Sequence, residues 1–134
     1  MKLHWKRILF AGISAELLLL AVYLPAKRYA GSAFMIIAVA EVIASMFQAG
    51  LWTVRRIESR LLLHGMLVGV VANVVYAALR ETMAGHIRSV SPIEAWGNFF
   101  AVAIIKMLIC TGGAFAGGRM KAKERSLPSV KFPI

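Results

Sequence analysis

Residues 101–118 read AVAIIKMLICTGGAFAGG. Apart from Lys106 the stretch carries no charge, and it reads as an apolar helix ending in glycine and alanine. A lysine in such a run costs ~2.5–3.5 kcal/mol at the centre of a bilayer by insertion scales, unless something stands beside it. What that partner is decides how the rest of the chain is arranged.

The run is one of four. Apolar stretches cover residues 8–24, 32–54, 61–79 and 98–118, ended respectively by Pro25 with Lys27–Arg28, by Arg55–Arg56, by Arg80–Glu81 and by Arg119. Each is near the ~20 residues that cross ~30 Å of hydrocarbon at ~1.5 Å per residue. Helices are the required form, because open strands would leave backbone groups unpaired in lipid. Of the 134 residues, 60% are hydrophobic, against ~45–50% in soluble domains. The expected fold is therefore an all-α membrane protein, four transmembrane helices in an up-down bundle over residues 1–118, with a mobile basic tail at 119–134. Ser91-Pro92-Ile93-Glu94 has the form of a capping box with proline at the first helical position, so the fourth helix can begin at Pro92.

The net charge of +10 would point a soluble protein to nucleic acid. Here the cations cluster at the ends of the apolar runs, where they set topology and meet anionic lipid, so no nucleic-acid partner is expected. Eleven Lys/Arg fall on the side of the N-terminus, the middle loop and the tail, and four on the other. The positive-inside rule then places both termini in the cytoplasm, as in a multi-pass protein of the bacterial inner membrane. Trp5 and Trp52 fall at the inner interface; Tyr23, Tyr29, Trp96 and Phe99 fall at the outer one. MKLHWKR before an apolar run also has the look of a secretory signal. Glu16 in the middle of that run argues against cleavage.

Glu16 is the midpoint of its span, and Glu41 and Lys106 each lie two residues from the midpoints of theirs. Three charges on three helices thus share one depth, which predicts a buried cluster of Glu16, Glu41 and Lys106. It has three readings: interhelical glue that fixes register, a proton or ion relay, or an interface with a subunit that brings its own charge. Gln48 and His64 are expected to hydrogen-bond each other between helices two and three, and Asn73 to make a further polar interhelical contact. Gly65 and Gly69 on helix three, and Gly113 and Gly117 on helix four, form small-xxx-small patterns that would pack those two helices together or support self-association.

No cofactor or metal is expected. Cys110 is alone, and His4, His64 and His86 fall at different depths. There is no Walker A loop, no His-Glu-x-x-His, no placed nucleophile and no haem signature, so the chain is not expected to be an enzyme. Helices two and four carry a faint internal correspondence, with Glu41 before Arg55 and Lys106 before Arg119 at similar distances.

Two resemblances follow from these residues. Leu63-His64-Gly65-Met66-Leu67-Val68-Gly69 and the glycine-rich run Gly112–Gly118 resemble segments of small uncharacterised bacterial four-helix integral membrane proteins, over Trp5 to Arg119. That resemblance implies fold and membrane location. Ala15-Glu16, Ala40-Glu41-Val42-Ile43 and Met107-Leu108-Ile109-Cys110 are similar to pieces of the small multidrug resistance transporters. That implies a proton- and cation-binding role for Glu16, although here the Ala-Glu-Val-Ile piece falls on helix two and Lys106 adds a fixed cation. The expected function is a non-enzymatic accessory or assembly subunit, or a homo-oligomer. The alternatives are a small proton-coupled transporter using Glu16 and Glu41, and a lipid-associated scaffold.

Overall fold

The computed structural model describes residues 4–55, 57, 60–83 and 92–126, with backbone alone at 80–83, 92–96 and 124–126. Four helices make up the fold: α1 (Trp5–Tyr29), α2 (Phe34–Val54), α3 (Leu61–Met83) and α4 (Pro92–Ser126). All four contain stretches long and apolar enough to cross a membrane, which makes the chain a multi-pass membrane protein.

Local chemistry sets the ends. Pro25 was expected to close α1, but it lies inside the helix, which continues through Lys27 and Arg28 to Tyr29. Proline removes one donor; the next turns restore the ladder, with Ala30 N–H donating to the Ala26 carbonyl at 2.9 Å. Gly31, at φ 51°, then turns the chain through a region that suits glycine. A 3-10 turn over Gly31–Ala33 leads directly into α2. Between α2 and α3, Arg60 takes φ 55°. Its carbonyl accepts from the His64 N–H at 3.1 Å and the His64 Nδ1–H at 2.9 Å, two bonds that hold the strained residue at the start of α3.

α4 begins at Pro92, as the proline-first pattern predicts; the proposed cap, Ser91, is outside the described residues. At its other end α4 does not stop at Gly118. It runs through Arg119, Lys121 and Lys123 to Ser126, so the first part of the expected mobile tail is helix. Lys121 Nζ donates to the Ile57 carbonyl at 3.4 Å, tying this extension to the α2–α3 connection. The remainder of the tail, His86 and the side chain of Trp96 are outside the described residues.

The helices pack in the cyclic order α1, α2, α4, α3. α1 and α4 are diagonal, with no Cα of one within 8 Å of the other's among the described residues. The core is built from small side chains around Ile8, Met46 and Val68, including Ala11, Ala15, Ala49, Ala72 and Cys110. Long apolar residues such as Ile36, Leu108 and Phe10 point outward, as a lipid-facing surface requires.

The glycines divide the work differently from the expectation. Gly65 and Gly69 do face α4: an added Cβ would come within 2.6 Å of Ala114 Cβ and 2.7 Å of Met107 Cα, respectively. Gly113 and Gly117 face α2 instead of α3, against Phe47, Leu51 and Val54. Gly50 of α2 returns the contact, lying against the Cys110 carbonyl. At ~100° per residue, Gly113–Gly117 lies on a different stripe of α4 from Met107, Thr111 and Ala114. α4 therefore needs two smooth faces, one for each neighbour.

Candidate functional site

Glu16 and Lys106 meet. Lys106 Nζ donates to Glu16 Oε1 at 2.5 Å, and both side chains are 2% exposed. The pair bridges the diagonal of the bundle. Only long side chains can cross that distance, and Glu and Lys each bring several methylenes to do so. On another side the ammonium stands 4.2 Å from the centroid of Tyr76 on α3. Tyr76 is in turn stacked on Phe99 of α4, with 5.9 Å between centroids and 7° between planes. The ring face offers a second patch of negative potential to a desolvated cation. Asn73, one turn before Tyr76, donates from Nδ2 to the Ala103 carbonyl at 3.0 Å. Its Oδ1 is buried without a partner among the described residues. Two helices thus converge on Lys106 of α4: α1 with the anion and α3 with the ring.

Glu41 is not part of this cluster. It is half-buried on α2 and forms no ion pair or hydrogen bond with Lys106. The reason is angular. The face of α2 that meets α4 carries Phe47, Gly50, Leu51 and Val54; Glu41 lies ~140° around the helix from it. Equal depth put the three charges on one level, but depth says nothing of azimuth.

Gln48 and His64 do not pair either. Gln48 shares the stripe Glu41–Ser45–Gln48–Trp52 and lies exposed in a groove between α1 and α2. His64 instead donates from Nδ1 to the Arg60 carbonyl, one turn back in its own chain segment. A carbonyl only accepts, so Nδ1 carries the proton. Nε2 is buried without a partner among the described residues, and the His4 ring lies 6.1 Å away between centroids. No group of three or more His, Cys, Asp or Glu side chains comes together to hold a metal among the described residues. Cys110 is fully buried, its Sγ 3.8 Å from Met46 Sδ.

Two contributors escaped the sequence reading. Tyr76 left one signal: it follows Asn73 by three residues and shares a helix face with it. Gly50 left another, as a residue without a side chain between Phe47 and Trp52 in the C-terminal half of α2.

Comparison of the chain with protein-family models, with curated proteins and with solved structures gave no match.

Proposed function

We propose that this is a non-enzymatic protein of the bacterial inner membrane, with both termini cytoplasmic and its helices alternating in direction. It serves by lateral association, as an accessory or assembly subunit or as a homo-oligomer. The observation that carries this reading is the closure of the central site. Lys106 is paired with Glu16 and covered by Tyr76, so its charge is spent inside the chain. The groove at the surface is lined by none of these three residues. A saturated buried pair supports a role in choosing which helices meet, the glue reading. The basic continuation of α4 through Arg119, Lys121 and Lys123 suits contact with anionic lipid at the cytoplasmic face.

The test is native size. Extraction in a gentle detergent should give the protein in an assembly larger than one chain. Monodisperse single chains at native abundance would sink the proposal.

One observation favours a second reading. Glu41 is a mid-span carboxylate with no ion pair among the described residues, and intramembrane carboxylates serve proton-coupled transport. In that case purified protein in vesicles moves a substrate in response to a pH gradient, and Glu41→Gln abolishes the movement. Absence of movement across a broad panel of cationic substrates rejects it.

A further inference from the structure

The groove between α1 and α2, about 300 Å³, is floored by Ala11, Ala15 and Ala49 and bounded by Phe10, Leu18 and Trp52. Gln48 and Ser14 open into it. Gln48 lies six residues from the Val54 end of a 24-residue span. A helix of that length is ~36 Å, ~6 Å longer than the hydrocarbon is thick, so Gln48 sits ~6 Å inside the apolar layer. There its amide is exposed, with two donors and an acceptor, and forms no hydrogen bond with any described residue. Ser14 is different: its hydroxyl donates to the Ala11 carbonyl at 3.2 Å and keeps its acceptor sites.

We propose that this groove is a self-association surface whose occupant is a second copy of this chain. The Gln48 amide of each copy enters the other's groove, against the partner copy's Gln48 and Ser14. An acyl chain fits the alanine floor but offers the amide nothing. A second copy offers both a donor and an acceptor. Two copies with the same topology are related by a two-fold axis along the membrane normal, so residues at one depth meet the same depth. Gln48 is self-complementary under that operation, because an amide can donate to and accept from its own image. The small floor lets the backbones approach, the geometry in which membrane helices cross at ~40°. Crossing at Gln48 also splays the helices before the two Glu41 carboxylates, ~10.5 Å further along, can face each other.

The inference rests on the lateral-association reading above and specifies its partner. The test is single-molecule photobleaching of labelled protein in liposomes over a range of protein-to-lipid ratios. The wild type should bleach in two steps, increasingly so at high density. Gln48→Leu should dimerise about tenfold more weakly, while Ile36→Leu, on an outward face away from the groove, should match the wild type. Gln48→Leu makes a lipid-facing position more apolar, so its helicity should be unchanged. One-step bleaching at every density, or undiminished dimerisation of Gln48→Leu, overturns the proposal. One-step bleaching by protein that still enters a larger native assembly overturns the dimer and leaves the accessory-subunit reading standing. Two-step bleaching together with pH-driven substrate flux does the reverse.

Discussion

Lys106→Met removes the ammonium and keeps most of the side chain's length and apolar bulk. The Glu16 carboxylate is then left buried at 2% exposure with its partner gone. Removing one member of a buried pair costs ~3–5 kcal/mol, and neither side chain is open enough for solvent to screen the loss. The contact with Tyr76, 4.2 Å from the ammonium, is lost as well, which places the effect in the upper half of that range. Glu16→Gln is milder, at ~1.5–3 kcal/mol, because the amide oxygen still accepts from Nζ and the Tyr76 ring remains. The double variant Lys106→Met with Glu16→Leu deletes both charges and should return to within ~1–2 kcal/mol of the wild type. The assay is unfolding by SDS titration in mixed micelles, read by tryptophan fluorescence and far-UV circular dichroism. If the double variant is as unstable as the sum of the losses of Lys106→Met and of Glu16→Leu alone, the side chains do not stabilise each other and the pairing argument is wrong.

Other substitutions read other parts of the bundle. Glu41→Gln should change stability by less than ~0.5 kcal/mol and leave the Glu16–Lys106 coupling unaltered, since α2 turns Glu41 away from Lys106; a coupling in the same unfolding assay would place it back in the cluster. Gly113→Ala should cost ~1–3 kcal/mol, because its Cβ would meet the Phe47 carbonyl. Gly112→Ala, whose Cβ meets nothing within 4 Å, should be neutral or stabilising, and equal effects at the two positions would refute the assigned α2–α4 face. Asn73→Leu should cost ~0.6–1.7 kcal/mol through its bond to the Ala103 carbonyl, measured against the wild type in the same micelles.

Depth was readable in the sequence and direction was not. Helix count, approximate spans and the shared level of Glu16 and Lys106 all follow from one-dimensional quantities: run length, rise per residue and distance from a charged end. Which face a residue takes requires knowing the neighbouring helices, and in lipid the hydrophobic pattern that would reveal it is absent, because inward and outward faces are both apolar. That is why depth alone groups Glu41 with Lys106, matches Gln48 to His64 and sets Gly113 and Gly117 against α3. Tyr76 was missed for a related reason. An aromatic in an apolar span looks like packing until a cation is found over its ring. The ends of α1 and α4 fall short in the sequence because Pro25 and Arg119 read as terminators, whereas proline is tolerated within membrane helices and a cation ends the apolar run without ending the helix.

The diagonal placement of α1 and α4 has a consequence for how the chain is made. Glu16 and Lys106 are 90 residues apart in sequence. At ~5–20 residues per second, about 5–20 s pass between their syntheses. Throughout that interval Glu16 is in the nascent bundle without its cation, and α2 and α3 can meet α1 only around an open quarter. The last helix to emerge fills that quarter and lies against two neighbours at once, carrying the charge that the first has awaited. A product that ends before Lys106 therefore keeps the acid without its cation, and the glycines that α4 would cover, Gly50, Gly65 and Gly69, without their neighbour.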